Sequence, residues 1–132
     1  MNQSKCECKN LSEFINQNID KRKFGNIVNE YLYKKNLSTS ELSENAGIDR
    51  KLISKFIADC NYHPSKDTAL AVCIGLKLNY SEARELLKIS GYSFAANSQR
   101  DLTIAYALSA GVCRICEVNN LLRDLGEKLF KE

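Results

Sequence analysis

The chain has 132 residues, a single proline and six glycines, with 44% hydrophobic and 27% charged residues. Its length suits one domain that buries roughly two thirds of its unfolded surface, and no apolar run is long enough to cross a bilayer. Nineteen basic against sixteen acidic residues leave a net charge of +3, too mild on its own to demand a nucleic-acid partner.

Residues 1–10 read as a weakly ordered start. Leu11, Phe14, Ile15 and Ile19 then mark a short amphipathic turn or two. Phe24, Ile27, Val28, Tyr31 and Leu32 recur at three and four, which predicts a helix ending near Asn36. Ser38, with Glu41 three residues on, makes a capping box that opens a helix reaching Ala46. Asp49 is the expected N-cap of the next helix, which runs to about Cys60. Residues 61–64 form a loop. Ser65 then caps a helix whose body, ALAVCIGLKL, is apolar nearly all round, as a central, buried helix is.

Asn79 or Ser81 caps the following helix, with Leu86 and Leu87 inward and Gly91 as its stop. Ser98 with Asp101 opens another, through Leu102, Ile104, Ala105, Tyr106 and Leu108 to Gly111. The last carries Ile115, Val118, Leu122 and Leu125, with Leu129 beyond Gly126. No strand alternation or repeat interrupts the order, so the expected fold class is all-α.

Residues 39–57, TSELSENAGIDRKLISKFI, have the spacing of a helix-turn-helix, two short helices joined by a tight turn that often holds a glycine. Gly47 supplies the turn because it tolerates positive φ. Leu42, Ala46, Ile48, Ile53 and Phe56 would form the small core that sets the crossing, and Ser43 is small enough for close approach.

The segment LSTSELSENAGIDRKLISKFIADCNYHPSKDTALAVCIGLKL resembles the DNA-binding domain of the lambda-repressor-like (Xre/Cro) family. The similarity covers residues 23–79. It includes the Leu-Ser-x-x-Glu-Leu opening at 37–42, the Ala-Gly-Ile turn, the Ile-Ser-x-Phe pattern and the Pro-Ser start of the apolar helix. The remainder, residues 80–132, is similar to a helical extension found after this domain in bacterial proteins of poorly defined function. Leu-Leu before Gly91-Tyr92, the Ser98–Asp101 entry and Val118-Asn119 before Leu121-Leu122 carry that similarity. The resemblance implies an all-α, five-helix domain with a helix-turn-helix, extended by two or three C-terminal helices packed on the same domain, and preceded by an N-terminal segment (1–22) with a short helix.

It further implies sequence-specific binding of double-stranded DNA by a transcriptional regulator of a bacterium or its phage. The recognition helix would be residues 49–60, entering the major groove by its N-terminal end. Arg50, Lys51, Ser54 and Lys55 would read bases. Ser38, Thr39, Asn61 and Lys66 would meet phosphates, contacts that position rather than specify. A solvated surface on a degenerate fold is the alternative for all eight. Leu52 and Ile57 depart from the family pattern, which prefers polar residues there. They either pack on the C-terminal helices or suggest the rival reading, a scaffold repurposed to hold a protein partner through Leu52, Ile57 or the C-terminal helices.

Other motifs point less far. The polar start MNQSKCECKN lacks the apolar segment of a signal peptide. A cytoplasmic protein is expected, its six cysteines mostly reduced. Cys6-x-Cys8 and Cys113-x-x-Cys116 invite a zinc reading, but the first pair is too tight and the second lies on a helix with Cys116 near the apolar face. Cys73 reads as buried. Cys60 or the Cys6-Cys8 pair would be the residues of a redox sensor. His63, the one histidine, has no recognisable catalytic partners, and no phosphate loop is present. Neither a cofactor nor an enzymatic activity is expected. Ile115, Val118, Leu122, Leu125 and Leu129 step by three and four, as a core stripe or as the seam of a homodimer.

Overall fold

A computed structural model describes residues 10–131, and within them every regular element is a helix. In chain order these are α1 (Leu11–Asn18), α2 (Phe24–Lys34), α3 (Thr39–Ala46), α4 (Arg50–Ala58), α5 (Lys66–Gly75), α6 (Tyr80–Ile89), α7 (Gln99–Ser109) and α8 (Ile115–Asp124). No described helix is long and apolar enough to cross a membrane.

The helix starts follow their capping residues. Ser38 and Asn79 each accept from the backbone three residues on, and Glu41 and Glu82 reach back to the cap N–H, closing two capping boxes. Asp49, Ser65 and Ser98 cap α4, α5 and α7 by side-chain oxygen. Asn79 rather than Ser81 is thus the cap of α6. Helix α4 ends at Ala58, two residues short of the expected Cys60, where Asp59 turns extended and accepts from the Asn61 N–H.

Helix α5 is the hub. It buries every residue from Ala69 to Gly75 and packs against α3, α6, α7 and α8. A helix apolar all round can only sit at such a centre. Helix α2 lies on α4 and α6, and α7 lies on α8. One contiguous core results, running from Phe24 to Phe130.

Two glycines set the closest approaches. A Cβ on Gly25 of α2 would stand 1.8 Å from the Phe56 carbonyl oxygen of α4. A Cβ on Gly75 of α5 would stand 2.8 Å from Leu42 Cδ1 and 2.9 Å from Ala46 Cβ of α3. The same junction is pinned by Asn45, whose Nδ2 donates to the Gly75 carbonyl at 3.2 Å.

The C-terminal stripe is core, not a free seam. Ile115, Val118 and Leu122 are buried in the chain itself, while Leu125 is exposed and Leu129 half-buried. Of the two readings of the stripe, core holds for three of its five residues. Leu102 and Tyr106 of α7 are exposed, because Asp101, Ile104, Ala107 and Leu108 define its inner side. One expectation for a helix face changes. Cys116 points to solvent, because the inner side of α8 is Ile115, Val118, Asn119 and Leu122.

Candidate nucleic-acid interface

Helices α3 and α4 are joined by three residues, Gly47, Ile48 and Asp49. Gly47 adopts φ 66°, the left-handed conformation that glycine enters without a Cβ clash. The Ser43 hydroxyl donates to the Ile48 carbonyl at 2.5 Å, closing the turn from inside. Leu42, Ala46, Ile53 and Phe56 are buried beneath it, and Ile48 is half-buried against the same core. Phe56 also stacks edge-on against Phe24, centroids 5.2 Å apart.

With Ile53 and Phe56 inward, α4 turns Arg50, Lys51, Ser54 and Lys55 outward, and all four are exposed. They occupy the N-terminal half and outer side of one helix. Asp49 caps it by accepting from the Lys51 N–H at 3.0 Å. Lys55 extends over the Tyr62 ring, its ammonium 5.9 Å from the centroid. The outer side therefore offers three cations and a hydroxyl, between an acidic cap at Asp49 and another acid at Asp59.

The residues expected at phosphates divide. Asn61 is exposed just past α4, and Thr39 is half-exposed at the start of α3. Ser38 is exposed, but its backbone N–H donates to Glu41 Oε1 at 2.9 Å and its hydroxyl accepts from the Glu41 N–H at 3.1 Å. The Ser38 backbone N–H, and after it the Ser38 side chain, hold the Glu41 carboxyl below the usual range. Lys66 is drawn inward: its ammonium meets Asp101 Oδ2 at 2.7 Å, and Asp101 is buried. Sequence spacing gave no sign of that pairing, since the partners lie 35 residues apart.

Leu52 and Ile57 are both half-buried against the chain's own core. Leu52 borders a crevice whose walls also include Ile48, Ala71, Leu129 and Phe130 of the C-terminal tail. Arg100 and Asn119 hold that tail. Arg100 pairs with Asp67, donates to the Lys128 carbonyl at 2.8 Å and lies over the Phe130 ring at 4.6 Å.

The remaining expected groups are dispersed. His63 Nε2 is 2.9 Å from the Ser90 carbonyl, which can only accept, so that nitrogen carries the proton. The contact ties the loop before Pro64 to the end of α6. Cys73 is fully buried, and burial pushes its thiol far up; Cys60 is exposed. Cys6 and Cys8 lie outside the described residues. Among the described residues no group of three or more His, Cys, Asp or Glu is placed to hold a metal ion. Comparison of the chain with protein families, with curated proteins and with solved structures finds no match.

Proposed function

We propose that this chain is a sequence-specific DNA-binding regulator of lambda-repressor-like architecture, which seats α4 in the major groove. The supporting observation is the two-sidedness of α4: Ile53 and Phe56 are fully buried while Arg50, Lys51, Ser54 and Lys55 are exposed together. A helix held from beneath by its own apolar residues presents its outer side rigidly, as base reading requires. Arg50 and Lys51, at the entering end, donate to guanine O6 and N7. Ser54 and Lys55 follow one turn deeper along the groove wall. Thr39, Asn61 and the Ser38 hydroxyl meet phosphates on either side. Lys66 has no part in this reading, because Asp101 already neutralises it.

The rival, a scaffold that binds protein through Leu52 and Ile57, has less support, since both side chains lean on the chain's own core. Salt separates the two. Phosphate-driven binding weakens steeply as salt rises, and an apolar interface does not.

The test is enrichment sequencing of random duplex DNA bound by the purified chain at moderate salt, followed by the double variant Arg50→Ala, Lys51→Ala. One recovered motif, lost in a variant that melts like the parent, is the expected result. Failure to enrich any motif with folded protein would refute the reading.

A further inference from the structure

Eight large hydrophobic side chains stand exposed among the described residues, and seven of them fall on two surfaces. Four form one stripe: Leu11, Phe14 and Ile15 of α1, continued by its C-cap Ile19. Three flank a groove between α7 and α8: Leu102, Tyr106 and Leu125. The eighth is Tyr33.

Helix α1 has a reason to exist only if something covers it. It is eight residues long and none of them is buried. Isolated helices shorter than about 12–15 residues are marginal in water. Yet this one is properly started, since Asn10 Oδ1 accepts from the Glu13 N–H at 2.8 Å. Its apolar residues recur at three, four and eight, the spacing with which an amphipathic helix fills a groove. Behind it, residues 19–23 run without helix to α2, tethered where Arg22 grips Asp20 at 2.6 Å and reaches Glu85 of α6 at 3.6 Å.

The groove between α7 and α8 is the second apolar surface. It is shallow and open to solvent, about 650 Å³, with Leu102, Tyr106, Leu121 and Leu125 on its walls and Thr103 and Asp124 among its polar residues. No α1 residue lines it within the same chain. A chain that carries both an uncovered apolar helix and an empty apolar groove can satisfy both by exchange.

We infer that α1 is an exchange arm that seats in the α7–α8 groove of a second copy of this chain. Each copy gives its arm and receives its partner's, so two identical contacts related by a two-fold axis close the dimer. Leu11, Phe14, Ile15 and Ile19 enter the groove, and Leu102, Tyr106 and Leu125 are covered. The inference does not rest on the DNA reading. If both hold, the dimer carries two copies of α4.

The test is the solution mass of the full chain by sedimentation equilibrium. Two surface double variants accompany it: Phe14→Glu with Ile15→Glu in the arm, and Leu102→Glu with Leu125→Glu in the groove. None of the four side chains is buried, so thermal melts of both variants should match the parent. The parent is expected at twice the 14.9 kDa chain mass, and each variant at half the parent's value. Mixing the two variants should restore a heterodimer, because the intact arm of one meets the intact groove of the other. With one contact in place of two, its dissociation constant should be at least tenfold weaker than the parent's. A monomeric parent, a dimer that survives the arm variant, or a mixture that stays monomeric would each overturn the inference. No DNA is present, so these outcomes are independent of the binding assay above.

Discussion

Asn119 holds the backbone of Phe130 with both halves of its amide. Its Nδ2 donates to the Phe130 carbonyl at 3.0 Å, and its Oδ1 accepts from the Phe130 N–H at 2.8 Å. Asn119 is fully buried on the inner side of α8, a polar residue where an apolar one would be expected. The pairing carries the tail back over the core, where Phe130 is buried and Leu129 borders the same crevice as Leu52. Asn119→Ala should therefore cost about 2–4 kcal/mol, since it leaves a buried N–H and carbonyl unpaired. Urea denaturation of the full chain checks this; a loss below about 0.5 kcal/mol would mean that the tail detaches freely.

Gly25 and Gly75 should differ in what they tolerate. The Gly25 Cβ position collides with the Phe56 carbonyl, which is backbone and cannot rotate away. At Gly75 the contacts are longer, 2.8 Å to the movable Leu42 Cδ1, with Ala46 Cβ at 2.9 Å and Ala46 N at 3.1 Å fixed to the α3 backbone. Gly25→Ala should cost about 3 kcal/mol or more and displace α4, whereas Gly75→Ala should cost about 1–3 kcal/mol. Thermal melts rank them, and equal melting points would contradict the argument.

Lys77 sits at φ 60°, in the left-handed conformation, just past the end of α5. Its side chain is exposed. A residue with a Cβ is strained there by about 1 kcal/mol relative to glycine. Lys77→Gly should raise stability by up to that amount, read as an upward shift of the melting temperature by a few degrees.

Lys66 and Lys51 make a contrasting pair. Lys66 neutralises a buried Asp101 that also accepts from the Ala95 N–H at 2.7 Å. Lys66→Ala should lower stability by about 1–3 kcal/mol, by leaving a buried carboxylate without its cation. Lys51→Ala should change stability by less than about 0.5 kcal/mol, and should instead reduce DNA affinity. A salt-dependence slope that changes with Lys66→Ala but not with Lys51→Ala would reverse the assignment of the two.

Acid should destabilise the fold partly through Glu82. Burial alone would raise its pKa. The Asn79 N–H at 3.0 Å and the Lys35 ammonium at 3.1 Å outweigh that and hold it below the usual glutamate range. A carboxyl whose pKa is lowered by folding stabilises the fold above its unfolded pKa. That contribution is lost as pH falls through the folded value. Melting temperature should thus drop between pH 6 and pH 3, and Glu82→Gln should show a smaller drop. An identical drop in parent and variant would remove Glu82 from the account.

Local chemistry made the helices legible. A capping side chain and a periodic apolar stripe act within one turn or two, so Ser38, Asp49, Ser65, Asn79 and Ser98 announce their helices directly. The all-α class, the buried α5 and the Gly47 turn follow from the same local terms. So does the outward side of α4, because burying Ile53 and Phe56 leaves Arg50, Lys51, Ser54 and Lys55 no other side.

What the chain alone left open depends on residues far apart in sequence. Lys66 looked like a free cation until the fold brought Asp101 beside it. Leu52 could equally pack on the C-terminal part of the chain or stand exposed, until the fold half-buried it against the core beside a crevice it shares with Leu129 and Phe130. Leu102, Ile104, Tyr106 and Leu108 are all apolar in the sequence, and only the fold puts Ile104 and Leu108 on the inner side of their helix and leaves Leu102 and Tyr106 outside. Periodicity ranks the sides of a helix, but only packing decides which is covered, because burial is a property of two surfaces that meet.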